Sequence, residues 1–202
     1  FFGAKDLKTC KRIIGPTVRE VSQEYDLGFQ WSSQDNAFIA PNGYQIWLIG
    51  LSEDGEADKL RGAAHGLVEG VIDECSTIPE DVLKYAVLDC ALPALGENDG
   101  RLALSGTPGP LMSGFFYEQC QARTNFHWDP RDNPFLRVPG QRFLEQALKN
   151  NPTWTWNTPT FQREYLGLWC EDRDMLVYPY AAARNLIYEG SEFPSGRTIL
   201  GV

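Results

Sequence analysis

Leu67-Val68-Glu69-Gly70-Val71-Ile72-Asp73-Glu74 is an apolar run that ends in two adjacent acids. Carboxylates delivered to the carboxyl end of a buried strand suit a nucleotide site: the first acid holds a hydrated divalent cation, and the second positions or polarises the attacking water. Many strands end in Asp-Glu for solvation alone, so the run gains weight only from a second element. Arg101-Leu102-Ala103-Leu104-Ser105 is a second short buried strand, ending in Ser105-Gly106-Thr107-Pro108-Gly109-Pro110. Small hydroxyl residues at such a tip can sense a γ-phosphate or its water, and a Gly-Pro turn that merely closes a strand is the plain alternative. Between the two runs, Thr77 and Glu80 have capping-box spacing around Pro79. Val82, Leu83, Ala86, Val87, Cys90 and Ala91 then continue at helical period, with Pro93 expected to end the helix. Strand, helix, strand makes one βαβ unit whose polar tips share an edge, so Ser105 is expected beside Asp73 and Glu74.

The elements that must hold this unit are legible on both sides of it. Residues Lys5 to Tyr25 read as two helical pieces broken at Gly15-Pro16. Phe38-Ile39-Ala40 and Tyr44 to Ile49 read as strands around Pro41-Asn42-Gly43, a hairpin in which Asn-Gly supplies positive φ. Ser52 to Asp58 reads as a loop and Lys59 to Ala64 as the start of a short helix. Downstream, Leu111 to Cys120 is a helix candidate, Thr124 to Pro139 a loop rich in Pro, Asp and Asn, and Gln141 to Lys149 a helix. Phe161, Tyr165, Leu168 and Trp169 have helical spacing, which predicts one aromatic stripe on the core. After Pro179 the sequence turns irregular, until Thr198-Ile199-Leu200-Gly201-Val202 resumes a strand pattern.

Composition narrows the function classes. The 202 residues are 43% apolar and 22% charged, the balance of a chain that folds. The longest strongly apolar stretch, Tyr44 to Leu51, falls far short of the roughly 18 to 20 residues that span a bilayer, so no membrane partner is expected. Phe1-Phe2-Gly3-Ala4-Lys5-Asp6 lacks the basic leader and cleavage pattern of a signal peptide. Cys10, Cys75, Cys90, Cys120 and Cys170 contain no Cys-x-x-Cys pair and read as reduced thiols. With His65 and His127 the only histidines, a His-rich metal site is not expected. A net charge of −9 argues against a protein that coats nucleic acid, because phosphate neutralisation needs clustered Lys and Arg. Cys75 reads as a packing residue, His65 as a loop residue, and Trp154 and Trp156 as surface packing rather than base-stacking platforms.

Asn42-Gly43 with the Tyr44 to Gly50 strand, Arg61-Gly62, Ile72-Asp73-Glu74-Cys75, Ser105-Gly106-Thr107-Pro108, and Phe161 to Trp169 occur in an order that resembles the terminase large subunits of tailed bacteriophages, across nearly the whole chain. The resemblance implies an α/β fold: a P-loop NTPase-like sheet of the additional-strand type, mostly parallel and flanked by helices, occupying 1–178. It makes 179–202 a linker plus the first strand of an RNase H-like nuclease domain. By the same resemblance Asp73 binds Mg²⁺, Glu74 is the catalytic carboxylate, and Ser105, Gly106 and Thr107 contact the nucleotide and couple its state to DNA. The cofactors implied are ATP and Mg²⁺. The partners implied are double-stranded DNA held transiently, a portal protein, a small terminase subunit and a ring of identical subunits on the procapsid, in the host cell cytoplasm.

One departure is large. A phosphate-binding loop needs Gly-x-x-x-x-Gly-Lys-Ser/Thr. Lys5, Lys8, Lys11, Lys59, Lys84 and Lys149 follow Ala, Leu, Cys, Asp, Leu and Leu, never Gly. The loop is therefore expected upstream of Phe1, and this chain alone is expected not to hydrolyse ATP. Two other readings stay open at this level: a helicase- or restriction-type DNA translocase, and a degenerate ATPase fold that only docks on partners.

Overall fold

The computed structural model describes residues 1–52, 54–61 and 66–172. Gly62, His65, the domain boundary expected near Pro179 and the strand expected at 198–202 lie outside them. Phe2–Ala4 forms β1, Gln30–Ser32 β2, Ala37–Ile39 β3, Gln45–Gly50 β4, Glu69–Ile72 β5 and Arg101–Leu104 β6. They make one sheet in the order β2-β3-β4-β1-β5-β6. Pairing is antiparallel among β2, β3 and β4, and parallel from β4 through β1 and β5 to β6. The Asn-Gly hairpin is present, with Phe38 opposite Ile46 and Gly43 at φ +85°, a conformation that glycine adopts without a Cβ penalty.

Helices cover both faces, and β4 shows it in its alternation: Leu48 belongs to one apolar cluster and Ile49 to the other. On the first face lies α1, Leu7–Glu24, which packs Cys10 and Val18 against Phe2, Ala4 and Phe38. On the second face lie α2 (Asp54–Arg61), α3 (Glu80–Tyr85), α4 (Leu92–Gly96) and α5 (Phe115–Ala122). Leu51, Leu60, Ile72, Leu83 and Phe115 meet there. Burying an Ile or Leu side chain of this kind contributes roughly 1.5–3 kcal/mol. A smaller cluster of Leu144, Ala147, Phe161 and Leu166 joins α6 (Gly140–Asn150) to α7 (Pro159–Leu166).

Several boundaries differ from expectation for identifiable reasons. α1 is one helix, not two: Pro16 sits inside it. The proline forfeits one backbone bond, but the helix is anchored at its start, where the Asp6 carboxylate accepts from Thr9 N at 2.7 Å, and along one face by burial of Cys10, Gly15, Val18 and Ser22. α2 begins within the stretch read as loop, since Ala57 and Leu60 supply an apolar i, i+3 pair, both fully buried. Pro93 does not end its helix either. Between α3 and α4 the backbone widens into a π-helical stretch, Ala86–Ala91, so 80–96 runs on as one rod. A wider turn just before a proline relieves the clash of its ring with the carbonyl four residues back.

The capping box is also not formed. Thr77 Oγ1 donates instead to the Glu74 carbonyl at 2.8 Å, and Glu80 Oε1 accepts from Phe115 N at 3.1 Å. α5 starts later than expected, behind Gly114 at φ +90°. α7 ends before Leu168 and Trp169 because Gly167 turns left-handed, while Leu168 N donates to the Gln162 carbonyl at 2.9 Å. Trp169 then packs on Phe116 and Tyr117, with ring centroids 5.8 and 5.0 Å apart. Trp154 and Trp156 pack against Phe161, as expected of surface-packing rings.

Candidate functional site

Parallel pairing of β5 with β6 sets Ile72 opposite Leu104, so the next residues of both strands, Asp73 and Ser105, emerge side by side. Ser105 Oγ donates to Asp73 Oδ1 at 2.6 Å. The ladder continues past the strands: Ser105 N donates to the Ile72 carbonyl and Cys75 N to the Ser105 carbonyl, each at 2.9 Å. On the other flank Asp73 N donates to the Gly3 carbonyl at 2.9 Å. The acid is therefore fixed from two neighbouring strands, at the carboxyl ends of a parallel sheet where ligands of α/β folds bind.

Glu74 has φ +53°. For a residue with a Cβ this left-handed conformation costs energy, and such residues cluster at functional sites. Two donors hold the turn: Thr77 N at 2.9 Å and Thr77 Oγ1 at 2.8 Å both reach the Glu74 carbonyl. Behind it Cys75 is buried, its Sγ donating to the Ile72 carbonyl at 3.2 Å. Burial pushes the Cys75 thiol up to about 12, which makes it a packing residue and no nucleophile.

Gly106 explains the glycine between the two hydroxyl residues. A Cβ there would stand 3.0 Å from Cys75 N and 3.4 Å from the Glu74 carbonyl carbon, so the Ser105-Gly106-Thr107 tip rests directly on the acid turn. Thr107 is half-buried and Pro108 buried. Next to the turn, an open cleft of about 220 Å³ is lined by Cys75, Ile78, Glu80, Phe116 and Trp169, among others. It is smaller than ordinary small-molecule pockets of roughly 300–1,000 Å³, and the acids lie outside it. Asp73, Glu74 and the Ser105-Gly106-Thr107 tip lie at the strand ends, outside this cleft.

The structure thus brings together Asp73, Glu74, Ser105 and Gly106, with Thr107 following next in the chain, half-buried. Sequence reasoning missed two supports. One is β1, whose Gly3 carbonyl meets Asp73; the signal was Asp6 with Thr9, a helix start placed directly after a short apolar run. The other is Glu80, whose partner lies 35 residues away, beyond the reach of local patterning.

A six-stranded mixed sheet covered by helices on both faces is an α/β fold. Its form is that of the ATPase domains of phage large terminases. The large terminase of the thermophilic bacteriophage D6E superposes with a TM-score of 0.61 at 16% identity, over 83% of this chain and 40% of that one. The same terminase in complex with ADP gives 0.55 at 20% identity, with shares of 83% and 40%. The large terminase ATPase domain of Thermus phage P74-26 gives 0.53 at 18% identity, over 84% of this chain and 75% of that domain. The chain thus spans about 40% of the D6E terminase it matches. No family model matches the sequence, and no curated protein matches it.

Proposed function

We propose that this chain is most of the ATPase domain of a terminase large subunit, which uses ATP hydrolysis to drive double-stranded DNA into a procapsid. The observation that carries the reading is the Ser105 to Asp73 hydrogen bond across adjacent parallel strand tips, with Glu74 held next to it in a left-handed turn. Asp73 is a hard oxygen donor suited to Mg²⁺. Among the described residues no three His, Cys, Asp or Glu side chains gather around a metal-sized space, so water and nucleotide phosphates would complete the shell, as Mg²⁺ prefers. An Mg²⁺ ion held by Asp73 would supply charge neutralisation for phosphoryl transfer. Ser105 fixes the Asp73 carboxylate, and Glu74 orients and polarises the attacking water.

In this reading Thr107 and Ser105 are the residues that sense the loss of a γ-phosphate. Their loop runs on to α5, whose first amide is held by Glu80, so a shift of the tip is passed to a helix. The phosphate-binding loop belongs outside this chain, and its strand has a place to pair: β6 ends the sheet, and its outer edge meets no other strand among the described residues. The D6E terminase was solved with ADP, which supports a nucleotide as ligand. Portal protein, small subunit and a ring of like subunits belong to the same reading, set in the host cytoplasm.

The test is direct. The coding sequence upstream of Phe1 is expected to encode a strand followed by Gly-x-x-x-x-Gly-Lys-Ser/Thr, and the purified 202-residue chain is expected to show no ATP turnover. Robust turnover by this chain alone, abolished by Glu74→Gln, would place the phosphate site within it and overturn the assignment of the loop. An upstream sequence without a phosphate loop would favour a degenerate, docking-only ATPase fold.

A further inference from the structure

Two exposed surfaces of opposite charge lie far apart in sequence, and each is built around unshielded rings. The first is the connection between α5 and α6. Phe135 is 91% exposed, Phe126 72% and Trp128 71%, and Phe126 and Trp128 stack on each other at 6.2 Å. Single exposed apolar residues are ordinary, but three large rings within ten positions are not. Arg123, Arg131, Arg137 and Arg142 accompany them against Asp129 and Asp132. This gives +2 over 123–142 in a chain of −9, and so leaves −11 for the remainder. The segment also walls a groove of about 620 Å³ between Arg131 and Gln141, with Leu136, Val138 and Pro139 in its lining.

The second surface is the carboxyl end of α1 and the turn after it. Glu20, Glu24 and Asp26 are exposed, with no Lys or Arg over 20–27. Among them Tyr25 is 64% exposed, and Val21 and Leu27 are also open. Since both surfaces are exposed in the same molecule, they do not cover each other.

We propose that the aromatic and arginine-bearing segment 123–142 docks on the acidic end of α1 in a second copy of this chain. Tyr25 enters the groove between Arg131 and Gln141, and Arg137 and Arg142 face Glu20 and Glu24. Aromatic rings with arginine are the composition of interface centres, and the acids of α1 complement the arginines in charge. The rest of the chain, at −11, repels a polyanion and attracts the +2 segment, which favours a copy of this chain over DNA as the occupant. The two surfaces are unlike, so the contact is head-to-tail and adds copies until a ring closes. The inference takes the ring from the proposed motor reading and names the surfaces that would build it.

Sedimentation equilibrium of the 202-residue chain without nucleotide tests it, so that its failure would leave the ATPase reading untouched. The wild-type chain is expected to associate with rising concentration, and less so in high salt. Phe126→Ser with Trp128→Ser, or Tyr25→Ser alone, is expected to weaken association by about tenfold or more, the effect of losing an interface anchor. Arg137→Glu with Arg142→Glu in one chain, and Glu20→Lys with Glu24→Lys in another, should each abolish self-association. An equimolar mixture of the two should restore it, which a folding defect would not do. A wild-type chain that remains single at its highest soluble concentration, ring variants that associate as wild type does, or a mixture that stays unassociated would overturn the proposal. So would loss of duplex DNA binding in the ring variants with self-association unchanged.

Discussion

The left-handed backbone at Glu74 makes a prediction about stability with a sign opposite to ordinary helix and strand preferences. Substitution by Gly removes the Cβ that makes φ +53° unfavourable, a gain of about 1–2 kcal/mol. Against it stands the added freedom of an unfolded glycine, about 0.4–1 kcal/mol. The half-buried Glu74 side chain belongs to no apolar core cluster, so no large packing term enters. Glu74→Gly is therefore expected to lie between wild-type stability and about 1.6 kcal/mol above it. Glu74→Val keeps the Cβ and adds a branch that the left-handed region rejects, so it should lie at least about 1–2 kcal/mol below Glu74→Gly. Urea unfolding followed by tryptophan fluorescence, with the slope checked for constancy across the series, measures the difference. If Val proved as stable as Gly, the turn would not be held left-handed, and the ladder from Cys75 N to Ser105 would not fix the acid as described.

Other consequences follow from the packing. Cys75, pushed up to about 12, and Cys10, up to about 11, are both raised by burial from an ordinary value of 9.0. Their contribution to stability is complete below pH 9 and is lost as pH rises toward those values; unfolding midpoints should fall across that window, less so in Cys10→Ala with Cys75→Ala. Glu80→Ala removes the acceptor from Phe115 N and should cost about 1 kcal/mol by thermal or urea unfolding, as loss of a helix cap does; an unchanged midpoint would mean that the carboxylate does not hold α5. Gly50→Ala places a Cβ 2.6 Å from Leu7 N, where backbone meets backbone, and should destabilise by about 1–3 kcal/mol, the cost of overpacking. Wild-type stability in that variant would deny the close approach of β4 to α1.

Legibility followed the range of the interaction. The βαβ unit could be read because periodicity and strand tips are local, and the parallel register then carried Asp73 to Ser105 without further information. The Asn42-Gly43 hairpin was equally plain. What failed was whatever the third dimension decides. Pro16 and Pro93 were read as breaks, but packing on the sheet outweighs one lost bond in α1, and a widened turn absorbs the second proline. β1 has only three residues, too few to show an alternation, and its place at the middle of the sheet depends on β4 and β5 arriving on either side. Thr77 and Glu80 had the spacing of a local cap and instead took partners across the site, on the Glu74 carbonyl and on α5. Gly106 was legible only as part of a turn. Its reason, contact with the backbone at Cys75, appears once the two tips are adjacent.

The role proposed for Glu74 is that of a carboxylate that activates water while other groups bind the nucleotide. In the full reading frame that encodes this chain, ATP turnover and nucleotide affinity are measured side by side for wild type and Glu74→Gln. Turnover is expected to fall by about a hundredfold or more, the loss typical of a catalytic base, with affinity for ATP and Mg²⁺ essentially unchanged and the fold intact. Turnover at the wild-type level, or affinity and turnover lost together in a folded protein, would contradict the role assigned to this residue and with it the motor.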